Sequence, residues 1–258
     1  MISELHARDR VLTIAGAVML LGFLVATLLS IGDTRLILGV NAWVKPMKFF
    51  VSIAIFLWTA AWFMAETRPL PNARALIRWT FVAVLATEMA IIVMQAVRGT
   101  TSHFNVATPF DEAAFNLMGL MITVGTVAAA GLLWLLRRDT PPHRAGYLWG
   151  MRLGLGIFVL GSLQGFVMMA NMGHAVPGPD GGPGLPFVNW SSTGGDLRVA
   201  HFAGLHALQA LPLFGFLLDR TGLVPTRRGA VVLAAGVAWL LVVASLLAGA
   251  LRGMPLLG

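Results

Sequence analysis

Asp196-Leu-Arg-Val-Ala-His-Phe-Ala-Gly-Leu-His-Ala-Leu-Gln-Ala-Leu-Pro212 reads as an apolar helix carrying His201, His206 and Gln209, with Asp196 and Arg198 at its mouth. Together with the residues that follow, it is long enough to cross a bilayer. A side chain that can hydrogen-bond or ligate is costly in hydrocarbon, so it faces a bundle interior and marks a site. The stretch therefore sets two expectations: an all-α membrane fold and a polar site within it.

Composition points the same way. Of 258 residues, 57% are hydrophobic and only 11% charged, against about 25% charged in soluble domains. The net charge of +7 is spread over loops, with no compact basic domain, so nucleic acid is not expected as a partner and the lipid bilayer is. The chain has no cysteine. That excludes disulfides, thiolate nucleophiles, iron–sulfur clusters and covalently attached c-type haem, and leaves any metal to His, Asp, Glu or amide groups.

Seven stretches meet the length of roughly 20 apolar residues that a span requires: approximately 11–31, 49–66, 77–97, 113–136, 147–172, 199–218 and 229–251. The first is too long for the core of a signal peptide and has no small-residue cleavage site after it, so it reads as a retained anchor. Thr108-Pro109-Phe110-Asp111 predicts an N-cap followed by Pro in the first turn and an acidic third position. Pro141-Pro142 stops the fourth helix and Pro225-Thr226 precedes the seventh. The expectation is a single seven-helix transmembrane domain over residues 1–258, with 173–198 as a loop closing over one end.

Orientation follows from Lys and Arg. With the N-terminus inside, the inner segments hold twelve of them, Arg137 and Arg138 included, and the outer segments hold six. This predicts an N-in, C-out, multi-pass protein of the inner (plasma) membrane. The outer connections then carry the unusual chemistry. His103, His174, His201 and His206 fall there or in the outer half of the sixth span, and Glu88, Gln95, Asn116, Gln164, Asn171 and Gln209 lie within spans. A polar funnel opening outward would keep them all off lipid.

At about 100° per residue, His206 sits about 140° from His201, with Gln209 between them on one broad face. With His174 these histidines are candidate metal ligands for zinc, copper or iron, or axial ligands of haem b; bonding to neighbouring helices is the plainer alternative. The two are five apart and form no tight i, i+4 chelate. Arg98, Arg198 and Gln209 are candidate contacts to a cofactor or anionic group. Glu88 and His103 are candidate catalytic groups, Glu88 as a proton relay or general acid/base and His103 at the mouth with Arg98, although a lone interior glutamate can also be merely paired. Asp196 is expected to cap its helix.

Asn41-Ala-Trp-Val-Lys-Pro-Met-Lys48 reads as an interfacial elbow, with Trp43 at headgroup depth and Lys45 and Lys48 meeting lipid phosphate. The sharper alternative makes one lysine a ligand for an anion at the same mouth. The Pro/Gly-rich loop 173–198 matches no phosphate or dinucleotide fingerprint, and its Leu185, Phe187, Val188 and Trp190 predict a folded lid. With lysines only at 45 and 48, a retinal Schiff base in the last span is disfavoured. The expected function is a metal- or haem-dependent membrane enzyme or redox protein acting on a small or lipid-phase substrate. The alternative is a non-enzymatic binder or transporter of a small anionic or amphipathic ligand such as a lipid, quinone or pigment.

Overall fold

The computed structural model describes residues 2–136 and 141–257, so Arg137 and Arg138 lie outside the described residues. The elements run α1 (Ile2–Arg8), α2 (Arg10–Gly32), β1 (Leu36–Ile37), β2 (Val40–Asn41), α3 (Val44–Met64), α4 (Pro71–Arg98) and α5 (Pro109–Leu135). A 3-10 turn (Pro142–Arg144) follows, then α6 (Ala145–Leu163), α7 (Gly165–Asn171), β3 (Ala175–Val176), β4 (Gly195–Asp196), α8 (Leu197–Leu218) and α9 (Pro225–Leu251). Among the described residues, seven helical segments are long and apolar enough to cross a membrane, the fifth running through the 3-10 turn, α6 and α7. The chain divides into two compact units, Met1–Leu132 and Leu133–Gly258.

Helix limits differ from the sequence reading where local chemistry decides. The second span begins at Val44 rather than near residue 49, because Pro46 occupies a first-turn position where no intrahelical donor is missed. Lys45 is thereby inside the helix. The fifth span is broken at Gln164, which ends α6 and starts α7.

In the first unit, α2 starts on Asp9, whose carboxylate accepts from the Leu12 amide at 3.1 Å and pairs with Arg78 at 2.7 Å. Arg8 bridges Glu4 and Glu66 and lies 4.0 Å over the Trp62 ring. Helix α2 then packs on α3 by glycine notches. A Cβ on Gly16 would lie 2.4 Å from the Trp58 ring, and one on Gly22 would lie 2.3 Å from Phe50. The Trp58 indole donates to the Thr13 carbonyl at 3.1 Å, which fixes the register.

In the second unit the seam is backbone against backbone. Gly146, Gly150, Gly154 and Gly161 of α6 face Gly215, Leu211, Ala207 and Gly204 of the antiparallel α8, and a Cβ at any of the four would come within 2.3–2.9 Å of main-chain atoms. Small residues permit such approach, and the approach supplies the dispersion contacts that hold helices together where hydrophobicity supplies none. Pro212 lies inside α8, with its ring seated over Gly154. Asp219 caps α6 by accepting from the Gly146 and Tyr147 amides at 2.9 and 2.8 Å. Helix α9 joins through Trp239, which donates to the Ala203 carbonyl at 2.9 Å.

Candidate functional site

The first unit brings Lys45, His103 and Glu88 into one chain. Lys45 stands in the first turn of α3, and Glu88 lies about three turns below the end of α4. His103 comes from the loop between α4 and α5. That loop dips inward because buried Asn105 donates to Thr100 Oγ1 and the Thr101 carbonyl, both at 3.0 Å, and accepts from the Ala107 amide at 3.1 Å. Phe104 takes a left-handed conformation (φ 56°), unusual for a bulky side chain and a form of strain that gathers at functional sites. Its ring packs on Phe115 at 5.4 Å and on His103 at 6.0 Å.

Lys45 Nζ lies 3.0 Å from His103 Nδ1, and Ser102 Oγ lies 3.1 Å from the same nitrogen. With Lys45 donating, Nδ1 is the acceptor and Nε2 carries the proton. Nε2 lies 3.5 Å from Glu88 Oε1, longer than an ordinary hydrogen bond. Glu88 is 5% exposed, and its Oε2 is buried without a hydrogen-bond partner. Phe49 lies 6.0 Å from the imidazole and 5.8 Å from the Lys45 ammonium. The result is a cation, an imidazole and a carboxyl in line, flanked by aromatic rings, running from a loop into an apolar span.

The elbow before α3 is built more tightly than its sequence suggests. Trp43 is buried and its indole donates to Asp33 at 2.9 Å. Lys45 meets His103, so the reading of this lysine as a lipid-phosphate contact is replaced by its place in the cluster. Leu38 and Gly39 both have positive φ, closing the β1–β2 hairpin by the turn type that requires it. The Arg35 guanidinium and amide hold the Asp33 carboxyl well below the usual carboxylate range, and Arg35 also donates to the Val97 carbonyl at 2.7 Å.

Arg98 is occupied. It binds Asp111 and the Gln95 oxygen, while Gln95 donates to Asp111 at 2.8 Å. The Thr108 cap is present as predicted, accepting from the Asp111 amide at 3.1 Å. Arg98 therefore anchors the start of α5, and the expectation of a free anion clamp gives way to an internal ion pair. Arg198 is similar: it pairs with the capping carboxylate of Asp196 and reaches the Asn189 carbonyl.

The three histidines proposed as a metal site belong to the second unit and are engaged separately. His201 Nδ1 donates to the Gly161 carbonyl at 2.8 Å, and His206 Nδ1 donates to the Phe202 carbonyl of its own helix at 2.8 Å while stacking on the Phe202 ring. His174 Nδ1 meets Asp180 at 2.5 Å. Among the described residues no group of three or more His, Asp or Glu side chains is arranged to hold a metal ion. The zinc, copper or iron centre expected from the sequence is thus not supported, because a helical separation of five turns the two imidazoles apart and backbone carbonyls claim both. Gln209 lies half-buried in α8.

Loop 173–198 is ordered by backbone pairing and by Asp180, while Phe187, one of the apolar residues expected to pack a lid, is 93% exposed. β3 and β4 pair in the register Ala175–Asp196 and Val176–Gly195, and Gly184 bridges to Ser191. Asp180 organises the near side by accepting from the His174 and Ala175 amides at 2.9 Å. Burial alone would raise the Asp180 carboxyl, but the His174 ring and the two amides together hold it well below its ordinary range.

The sequence reading missed Asp111 and Asp180 as the partners of Arg98 and His174. It also did not bring Lys45 together with His103 and overlooked the glycine seam, whose spacing of four at 146, 150 and 154 was available. Against known protein families, curated proteins and solved structures, the chain shows no match.

Proposed function

We propose that the chain is a multi-pass protein of the inner membrane whose first unit binds a small amphipathic, lipid-phase molecule by its polar head and exchanges a proton with it. Lys45 attracts a negative or carbonyl-bearing head, His103 relays the proton, and Glu88 is the terminal acid/base. The observation that carries this reading is the unpartnered, buried Oε2 of Glu88 at the inner end of the Lys45–His103 chain. A group that costly in hydrocarbon is retained where it performs work.

The test is organic extraction and mass spectrometry of the detergent-purified protein. A small molecule present with wild type and depleted in Lys45→Met, His103→Ala and Glu88→Gln, all three remaining helical and monodisperse, supports the site. Equal amounts in all four preparations refute it.

The distribution of Lys and Arg supports N-in, C-out. Because the chain lacks cysteine, His143→Cys and Gly178→Cys can be labelled singly in intact cells. An impermeant maleimide should reach Cys at 178 and leave Cys at 143 unlabelled; the reverse pattern overturns the orientation.

A second reading rests on His201. Its Nδ1–H is fixed on a backbone carbonyl, which leaves Nε2 with the lone pair, as in axial haem ligands. A Soret band in the purified protein that disappears in His201→Ala would favour a haem b protein, and a featureless visible spectrum removes that reading.

A further inference from the structure

The imidazole at the centre of the cluster has a partner outside the Lys45–His103–Glu88 chain. Ser102 is 2% exposed, and among the described residues its hydroxyl bonds to His103 Nδ1, at 3.1 Å. The main chain fixes this pairing. Buried Asn105 grips the loop on both sides of Ser102, through Thr100 Oγ1 and the Thr101 carbonyl before it and the Ala107 amide after it. A buried hydroxyl is kept with its hydrogen bond made, and this one is made to a nitrogen that Lys45 already approaches at 3.0 Å.

The two partners ask different things of Nδ1, whose one position in the ring plane holds either a lone pair or a hydrogen. An ammonium only donates, so Lys45 requires the lone pair and puts the hydrogen on Nε2. A hydroxyl donates or accepts, so Ser102 suits both forms, and the change between them is a turn of the O–H about its Cβ–Oγ bond. With Nδ1–H donating to Ser102 Oγ, the Nε2 lone pair faces Glu88 Oε1 across 3.5 Å.

We infer that Ser102 is the positioning residue that gives His103 its second tautomer, and with it a proton path that runs in both directions. The inference rests on the reading of Lys45, His103 and Glu88 as that path. When the ring delivers a proton inward, Nε2–H breaks as O–H forms on the Glu88 carboxylate, and an O–H or N–H bond of the bound head group breaks as Nδ1–H forms. No electron is gained or lost and the total charge is conserved. Each delivery therefore leaves the ring in the Nδ1–H form, to which the Lys45 ammonium cannot bond and Ser102 can. The return step reverses every bond change and restores Nε2–H.

The experiment is ring-nitrogen NMR of the full-length protein in detergent, with isotope-labelled histidine and the His103 signals assigned by their absence in His103→Ala. At a pH where the ring is neutral, the two nitrogens report the ratio of Nδ1–H to Nε2–H. Ser102→Ala should lower this ratio about fivefold, the effect of one hydrogen bond. Lys45→Met, which removes the competing donor, should raise it, and Ser102→Ala added to that background should bring it down again. A ratio unmoved by Ser102→Ala in both backgrounds would overturn the inference. Broadened signals with an unchanged ratio would overturn it equally, because they would mean that Ser102 serves the loop alone. The readout is the ring itself, so the two readings fail separately. A tautomer that follows Ser102 while no small molecule appears in the organic extract refutes the ligand alone; a molecule lost from Lys45→Met while the tautomer ignores Ser102 refutes this inference alone.

Discussion

The two units meet the same difficulty, holding apolar helices together where the surroundings are equally apolar, in opposite ways. In the first, large side chains enter glycine notches, as Trp58 does at Gly16, and one ionisable group, Glu88, is carried inside a span, while Asp9 and Glu66 are buried at helix ends. In the second, α6 and α8 touch through their backbones along Gly146, Gly150, Gly154 and Gly161. Its charged contacts, His174–Asp180, Arg198–Asp196 and Arg228–Asp219, sit in the connections and helix ends. Both units bury carboxylates at helix ends, Asp9 in the first and Asp196 in the second, but among the described residues only the first carries one, Glu88, in mid-helix. The contrast sets the Lys45–His103–Glu88 cluster in the first unit against a backbone-to-backbone seam in the second.

Substitutions test that contrast directly. Gly150→Leu should have the largest effect, because its Cβ would stand 2.3 Å from the Leu211 carbonyl oxygen and neither backbone can yield. Loss of monodisperse protein on size exclusion is expected, a cost above about 4 kcal/mol. Asp9→Ala comes next. It removes both the α2 cap and the partner of half-buried Arg78, and thermal unfolding should register about 3–5 kcal/mol. Gly16→Ala should cost less, about 1–3 kcal/mol, since the obstacle is a Trp58 ring that can turn; a loss as severe as that of Gly150→Leu would erase the distinction between the units. Gly156→Ala meets nothing closer than Leu133 at 3.9 Å and should change stability by no more than about 0.5 kcal/mol.

The smallest effect concerns pH and is confined to the loop. Asp180 is held below its ordinary value in the folded loop, so its contribution is complete above the unfolded carboxylate range and is lost as pH falls through it toward the folded value. Hydrogen exchange at the His174 and Ala175 amides should accelerate below about pH 4 relative to the intrinsic rate. Asp180→Asn should exchange faster at neutral pH and show no such dependence. An unchanged profile in Asp180→Asn would mean that other contacts order the loop.

The seven apolar segments were legible because hydrocarbon imposes a length and a composition on every span, and 199–218 and 229–251 fall within a few residues of α8 and α9. The caps at Thr108 and Asp196 were legible because their chemistry is local. The histidine centre was not, since an imidazole on an apolar helix reads alike whether it ligates a metal or donates to a carbonyl one helix away, as His201 does to Gly161. Nor could sequence pair Lys45 with His103 across 58 positions, because the inward dip of the Ser102–Asn105 loop depends on hydrogen bonds that no periodicity records. What was readable was the cost of Glu88 inside a span, and the structure places that carboxyl beside His103.

The account depends on Lys45, His103 and Glu88 acting as one coupled unit. Infrared difference titration of the purified protein measures this directly through the carboxyl stretch assigned to Glu88 by its absence in Glu88→Gln. The account predicts that this band shifts its titration in both Lys45→Met and His103→Ala while the remaining carboxyl bands stay in place. A Glu88 band that titrates identically in wild type and both variants would contradict it.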